Sequence, residues 1–516
     1  MSPFPHSSYR PGQREAIESI EAAFAAGKRF VILEAPTGAG KSAIAVTLAR
    51  RAGNSYVVTA QKMLQDQYVR EHPDLAVMKG RSNYPCLIAP THAAAAPCIA
   101  GRKLPECEEC PYFTAKDVAM AASNTIMNYA YYLAELNYSG GFTDRDLLVL
   151  DEAHNAESAL MGFAQTGLSD ADLARIGSAM RLPQVFEEHA WFDFAEQVLP
   201  ELGLRGAALE EEARSVPHAS DHSLGLLRAK QFVDSAARRL RHMLASEADG
   251  SVEWVVEHWR NASGQGVAFK PVSVSAFAEE FLFTHARRVL LMSATILDPP
   301  TYMRALGINE EDCEVVTVGS SFPARNRPIL LRPSARLTRH HLEADLPRLT
   351  DAVARIIEEH PTEKGVIHAH SYRIAAHLAR MLPEAQRGRI ISHVDSSGRD
   401  AALQAHLQSP DATVLLTPSM TEGINLDGDN ARFQVLCKIP YPYLGDAQVR
   451  ARTDRDPDWY EWRTCLSVVQ AYGRSVRSAD DYAVTYLLDA GFPAFVRRQQ
   501  DRLPEWFLEA VESEPV

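Results

Sequence analysis

FVILEAPTGAGKSAIAVTLARRAG, residues 30–53, decides the fold of this chain. Its first five residues are a short apolar run, and AIAVTLARRAG after the loop has helical spacing and ends on a glycine. The stretch therefore predicts a buried strand, a glycine-rich loop and a helix. This order is typical of a parallel α/β sheet, which binds its ligand at the carboxyl ends of its strands.

The loop APTGAGKS fits the phosphate-binding P-loop pattern, except that Ala35 stands where the first glycine usually does. The two glycines let backbone N–H groups surround phosphate oxygens at the start of the helix. The lysine is expected to reach the β- and γ-phosphates, and the serine hydroxyl to bind Mg²⁺. The predicted nucleotide-binding residues of the loop are Thr37, Gly38, Gly40, Lys41 and Ser42.

A second apolar run, in DLLVLDEAH (residues 146–154), carries acids to the same edge of the sheet. Asp151 is expected to hold Mg²⁺, and Glu152 to orient or deprotonate the attacking water. A lone histidine is more often structural. Directly after these acids, His154 is predicted instead to couple the nucleotide state to the neighbouring SAT segment, residues 293–295.

Further apolar strands complete two series. SYVVTA (55–60) and RRVLLMSAT (287–295) join the first, and a second series starts after about residue 320. Its strands are KGVIHAH (364–370), GRIISHV (388–394), ATVLLTPS (412–419), RFQVLCKI (432–439) and DYAVTYLL (481–488). The fold class is therefore α/β with two parallel-sheet domains, and the first domain contains one cysteine-bearing and one helix-rich insertion.

Composition sets limits on the partners. The 516 residues carry a net charge of −13, so no general basic field attracts nucleic acid, and any such site must be a local track. Apolar residues make up 46%, and no run of about 18 apolar residues suggests a membrane span. The first residues show no basic and apolar leader, and we expect a cytoplasmic protein with no membrane partner.

Four of the seven cysteines fall within 25 residues, namely Cys86, Cys98, Cys107 and Cys110. An odd count argues against a disulfide framework and for a metal-ligand cluster. Structural zinc usually takes two short C-x₂-C pairs, and this segment has one. Zinc and an iron–sulfur cluster both remain open from the residues alone.

Near the C-terminus, QAYGRSVR (470–477) is predicted to place Gln470, Gly473, Arg474 and Arg477 on one helix. The i, i+3 spacing would put both guanidinium groups on one face. A solvated or salt-bridged face is the usual role of such a pair. In a second α/β domain opposite a P-loop, the two arginines are predicted to stabilise the charge of the phosphoryl group in transfer.

The ordered set of segments resembles a superfamily 2 helicase. YRPGQ, with Gln13 as the adenine contact, APTGAGKS, VVTAQKMLQDQ, DEAH, SAT, HAHSYRIA, TEGINLDG and QAYGRSVR are similar to its successive motifs. GRSNYPC, CPYF and NTIMNYAYYL are similar to the XPD/DinG branch, which carries an iron–sulfur domain and a helical arch. The resemblance covers most of the chain.

The resemblance implies two RecA-like domains that use ATP to unwind DNA and move 5′ to 3′ on single-stranded or forked DNA. It also makes a [4Fe–4S] cluster the expected occupant of the cysteines. The implied divisions are helicase domain 1 at 1–79, 114–157 and 251–320, the cluster domain at 80–113, the arch at 158–250 and helicase domain 2 at 321–516. No protein partner is implied.

Contacts to the strand are expected from Thr59, Gln65, Ser371 and Tyr372, for which turn capping or packing is the alternative. Thr421 and Asn425 depart from the family pattern in TEGINLDG, and the arch is short. The P-loop begins by Ala35, so we expect no N-terminal exonuclease domain and no nuclease activity. Two alternatives stay open: a translocase or remodeller that does not separate strands, and an RNA helicase.

Overall fold

The computed structural model describes residues 3–96, 107–184, 187–216, 220–261, 264–319, 322–393, 395, 397–418, 426, 428–473, 476 and 481–513. Its strands are β1 (Phe30–Glu34), β2 (Ser55–Thr59), β3 (Ala76–Val77), β4 (Asn124–Asn128), β5 (Arg145–Asp151), β6 (Thr166–Ser169), β7 (Trp254–Asn261), β8 (Gly264–Pro271), β9 (Ala286–Ser293), β10 (Cys313–Thr317), β11 (Ile329–Ala335), β12 (Gly365–His368), β13 (Ile390–Ser392), β14 (Val414–Thr417), β15 (Phe433–Leu436), β16 (Val484–Asp489) and β17 (Val511–Ser513).

The α-helices are α1 (Gln13–Ala25), α2 (Lys41–Ala52), α3 (Lys62–Glu71), α4 (Pro111–Ala121), α5 (Tyr129–Ala134), α6 (Ala156–Ala164), α7 (Asp170–Ile176), α8 (Glu188–Ser215), α9 (Asp221–Ala248), α10 (Ser275–Ala278), α11 (Pro299–Ala305), α12 (Leu342–Glu359), α13 (Tyr372–Met381), α14 (Glu384–Arg387), α15 (Arg399–Gln408), α16 (Ala447–Arg455), α17 (Pro457–Tyr472), α18 (Phe492–Arg498) and α19 (Glu505–Leu508). In the part of the chain with assigned positions, no helix is both long and apolar enough to cross a membrane.

The first sheet has seven parallel strands in the order β10-β1-β9-β5-β2-β4-β3. Its apolar strands are buried on both faces, which is why FVILE and its counterparts are continuous apolar runs rather than alternating ones. Because β1, β9 and β5 are neighbours, the P-loop, the SAT segment and the DEAH segment leave the sheet side by side.

The second sheet also has seven parallel strands, ordered β13-β14-β12-β15-β16-β11-β17. All five strands predicted for this domain are present, each a few residues shorter than the apolar segment that predicted it. The flanking strands β11 and β17 were not predicted. The two parallel-sheet domains confirm the predicted fold class.

The insertion between the DEAH and SAT segments contains two long helices, α8 and α9, each of 28 residues. This agrees with the predicted helix-rich insertion. The three-stranded antiparallel sheet of β6, β8 and β7, which accompanies these helices, was not predicted. β7 and β8 follow α9, beyond the expected arch boundary at residue 250. The polar end of β7, EHWRN, carried little apolar signal to mark it as a strand.

Candidate nucleotide site between the two domains

Gly38 and Gly40 give the P-loop its shape, with φ angles of 84° and 79°. These are left-handed values that favour glycine. A Cβ at Gly40 would also lie 2.1 Å from the Gln13 Nε2 atom. Helix α2 begins at Lys41, whose Nζ donates to the Ala35 carbonyl at 3.1 Å. The loop therefore presents its glycine-rich backbone at a helix N-terminus, the arrangement suited to phosphate binding.

Gln13 forms hydrogen bonds that hold the P-loop backbone. Its buried side chain donates from Nε2 to the Gly40 carbonyl at 3.1 Å and accepts the Arg10 backbone N–H at 2.7 Å. The Arg10 guanidinium donates to the Gly38 carbonyl at 2.6 Å, a contact that the sequence did not predict. The adenine contact assigned to Gln13 stays a prediction.

Asp151 ends β5, one strand away from the P-loop strand β1 across β9, with 6% of its surface exposed. Its Oδ2 accepts from the Tyr68 hydroxyl at 2.8 Å, and its Oδ1 accepts the Glu152 N–H at 3.0 Å. Burial, and then the charge of Glu152, raise the pKa of Asp151 to about 6, against the opposing effect of Lys41 and these hydrogen bonds. Glu152 has a φ of 51°, an uncommon value for a non-glycine residue and one found at functional turns.

His154 lies where the two domains meet. Its Nδ1 lies 2.8 Å from the Ser293 hydroxyl of the SAT segment. Gln470 of α17 places its Nε2 3.3 Å from the His154 Nε2 and also donates to the Thr295 hydroxyl. One amide from the second domain thus contacts both the DEAH and the SAT segments of the first.

A cleft of about 560 Å³ separates the domains at this point. Its walls include Thr37, Glu152 and His154 from the first domain and Gln470 and Gly473 from the second. Volumes of 300–1,000 Å³ are typical of small-molecule sites. Sequence analysis did not find the aromatic part of the second wall, formed by Phe322, Tyr472 and Trp506.

Arg474 and Arg477 lie outside the described residues, so their positions relative to the cleft stay a prediction. The expectation of one helix through all of QAYGRSVR was wrong, because α17 ends at Tyr472 and Val476 is not helical. Gly473 follows the last helical residue, and glycine is a poor helix former that commonly ends helices.

The four residues predicted to contact the nucleic-acid strand differ in their exposure to solvent. Thr59 and Gln65 are both 0% exposed. Gln65 donates to the Met78 carbonyl at 3.1 Å, as a packed residue does. Tyr372, by contrast, is 49% exposed at the start of α13, directly after Ser371. The nucleic-acid role of all four stays a prediction, and the exposed tyrosine is the one best placed to stack on a base.

Two of the clustered cysteines lie together at the start of α4. Cys107 and Cys110 are buried, and the Cys110 N–H donates to the Cys107 carbonyl at 3.0 Å. Cys86 is half-buried in a separate turn, while Cys98 lies outside the described residues. Among the residues with assigned positions, no three His, Cys, Asp or Glu side chains form a metal-binding group. The donor chemistry of the pair fits a thiolate-held cluster, but the complete ligand set stays a prediction.

Comparison with protein families gives two matches. A model of the helicase C-terminal domain matches residues 353–510, and a model of the type III restriction enzyme res subunit matches residues 6–168. The chain is similar to the ATP-dependent DNA helicase YoaA of Escherichia coli strain K12, at 22% identity over 93% of this chain and 91% of that protein. It is also 23% identical to the ATP-dependent DNA helicase DinG of Photobacterium profundum, over 79% and 70% of the two chains.

Solved structures agree on the fold. An XPD helicase structure has a TM-score of 0.67 at 15% identity and covers 99% of this chain and 100% of its own. Xpd4 of S. tokodaii has a TM-score of 0.62 at 16% identity, with 98% and 100% covered. The fold, the ordered motifs and these relatives agree, and the chain is similar to the XPD/DinG-type superfamily 2 helicases.

Proposed function

We propose that this protein is an ATP-dependent DNA helicase that moves 5′ to 3′ on single strands and opens forked duplexes. The observation that carries the proposal is the cleft between the two parallel-sheet domains. Thr37 of the P-loop and Glu152 of the DEAH segment line one side of it, and Gln470 reaches from the other side to His154. The direction of movement rests on the family resemblance alone, whereas DNA as the substrate is also supported by the DNA helicase names of the relatives.

The residues of the first wall have complementary tasks in ATP hydrolysis. The P-loop backbone and Lys41 would bind the phosphates, and Ser42 and Asp151 would hold Mg²⁺, which neutralises phosphate charge when bound. Glu152 would orient the attacking water or accept its proton. In this proposal Arg474 and Arg477 stabilise the transferring phosphoryl group from the second domain.

Gln470 supports the coupling step. Its amide contacts His154 and Thr295, which follow adjacent strands of the first sheet. Nucleotide binding would favour a closed cleft, and phosphate loss would reopen it. Repeated closure would then advance a strand held by both domains, with Tyr372 as one stacking platform.

An unwinding assay tests this function. Duplexes with a 5′ tail, a 3′ tail or a fork are incubated with ATP, and strand release is followed by fluorescence. Release from 5′-tailed and forked DNA but not from 3′-tailed DNA is expected. ATP hydrolysis stimulated by single strands without release would indicate a translocase or remodeller, and release of RNA duplexes alone an RNA helicase.

We further propose that Cys86, Cys98, Cys107 and Cys110 hold a [4Fe–4S] cluster. Support comes from the family resemblance and from the buried thiol pair, Cys107 and Cys110, that precedes α4. The same helix places Tyr112 in the first-domain core, where Arg81 lies 4.4 Å over its ring. A cluster bound here would stabilise an insert with few apolar residues of its own, and would hold it where duplex strands separate.

Cys110→Ser tests the cluster. Anaerobically purified wild type is expected to be brown and to contain iron, whereas the variant should lose visible absorbance and unwind far less while keeping much of its ATPase activity. Cys465→Ser is the matched control, since Cys465 is fully buried in the second domain and should not affect iron content. A colourless wild type that contains zinc would contradict the proposal.

The domain limits given above and a cytoplasmic location are part of this proposal. Fractionation of cells would test the location.

A further inference from the structure

Tyr68 is a buried tyrosine whose hydroxyl reaches the metal-binding acid. It lies on α3, 2% exposed, and its hydroxyl donates to the Asp151 Oδ2 at 2.8 Å. Sequence analysis assigned it no role. A buried tyrosine needs a partner for its hydroxyl, but that partner is commonly a backbone carbonyl. Here it is a carboxylate that belongs to the proposed nucleotide site.

The two oxygens of Asp151 are held by different kinds of donor. Oδ1 accepts the backbone N–H of Glu152, which the turn after β5 fixes in any case. Oδ2 depends on a side chain from another element, the helix that follows β2. Rotation of the carboxylate about its Cβ–Cγ bond would therefore break the hydrogen bond from the Tyr68 hydroxyl.

We propose that Tyr68 is a positioning residue for the Mg²⁺ site, and that its hydroxyl orients Asp151 so that Oδ1 faces the nucleotide. Hydrogen bonds from neighbouring groups to a ligating carboxylate commonly alter metal affinity by about 10-fold to 100-fold. The inference rests on the proposed ATP site and adds a residue to it. It also links α3, which follows the predicted strand contact Thr59, to the proposed Mg²⁺ site through Asp151.

Tyr68→Phe removes the hydroxyl and keeps the buried ring. Mn²⁺ serves as the probe: free Mn²⁺ is measured by electron paramagnetic resonance as it is titrated into protein with saturating ADP. We expect Mn²⁺ binding to weaken about 10-fold. Binding of ADP in EDTA, followed by calorimetry, is expected to be unchanged.

Tyr302→Phe is the matched control. Tyr302 is also fully buried, and its hydroxyl donates to the Ala153 carbonyl at 2.7 Å, two residues beyond Asp151. It should bind Mn²⁺ as the wild type does. Equal weakening in both variants, or unchanged or tighter binding in Tyr68→Phe, would overturn the inference. If the phenylalanine variant does not fold, 4-aminophenylalanine at position 68 keeps a weaker hydrogen-bond donor. The inference then requires that this variant bind Mn²⁺ more weakly than the wild type, by less than about 10-fold.

The wild type separates this inference from the function on which it rests. A wild type that binds no Mn²⁺ with ADP would contradict the proposed nucleotide site itself. Normal binding by the wild type and by Tyr68→Phe would contradict the role of Tyr68 alone.

Discussion

The two walls of the interdomain cleft are built differently. In the first wall, the P-loop, the acids and the SAT segment follow neighbouring strands, and their positions come from the parallel register of β1, β9 and β5. The second wall reaches the first through contacts between residues that are far apart in the chain. Gln470 of α17 contacts His154, 316 residues away.

Three further contacts hold the second wall against the first. Glu157, just after the DEAH segment, forms a buried ion pair with Arg452 at 3.4 Å and accepts the Trp459 indole N–H at 3.0 Å. Trp462 donates its indole N–H to the Ile296 carbonyl at 2.7 Å, next to the SAT segment. The first wall is thus specified by local motifs. Apart from Gln470 of QAYGRSVR, the second is held by single side chains that no motif predicts.

Glu34 connects the P-loop of the first wall with the turn that Trp462 of the second wall contacts. It ends β1 directly before the P-loop, and its Oε1 accepts the N–H groups of Ile296 and Leu297 at 3.0 and 3.1 Å. Burial raises the pKa of Glu34, while these two bonds lower it. The turn that receives Trp462 is therefore held by the residue that precedes the phosphate loop.

The largest predicted effect comes from a substitution in the P-loop, which belongs to the first wall. Lys41→Ala is expected to lower ATP turnover by at least about 10²-fold to 10³-fold, because it removes a charged donor to the phosphates. The Lys41 ammonium donates to the Ala35 carbonyl, a partly buried contact, so folding should be retained. ATPase rate and thermal melting measure the two. Normal turnover in a folded variant would refute the assignment of the P-loop.

Glu157→Ala should have the next largest effect, and it acts on stability. Removing one partner of a buried ion pair leaves the other charge uncompensated, at a cost of about 3–5 kcal/mol. Denaturant unfolding is expected to show this loss. Arg455→Ala is the control, since Arg455 pairs with Glu253 while 67% exposed, and such pairs are worth about 1 kcal/mol or less. Equal losses in the two variants would show that the contact between the walls is not special.

The same contrast explains what the sequence could predict. FVILE, SYVVT and five strands of the second domain were found because buried parallel strands are continuous apolar runs. The P-loop was found because its spacing has one physical use. Tyr68, Glu34 and Trp462 were missed since their partners are distant in sequence and a buried aromatic or acid has no spacing signal. β6, β8 and β7 were missed because two of these strands follow the long helices rather than alternating with them.

Trp462→Phe tests the smallest part of the second wall. The ring can remain packed near Tyr302, 6.0 Å away between centroids, while the Ile296 carbonyl loses its donor. One hydrogen bond contributes about 1 kcal/mol, so the free energy of unfolding should fall only slightly. Because the lost bond joins the walls, we expect the stimulation of ATP hydrolysis by single-stranded DNA to fall several-fold, by about 5-fold for 1 kcal/mol.

Trp254→Phe is the control, because it loses a similar bond, from its indole N–H to the Ser246 hydroxyl at 3.2 Å, but within the first domain. Trp254→Phe should lower the free energy of unfolding by a similar amount and leave the stimulation of ATP hydrolysis by single-stranded DNA intact. Equal loss of that stimulation in both variants would show that the Trp462 bond is a packing contact rather than a link between the walls.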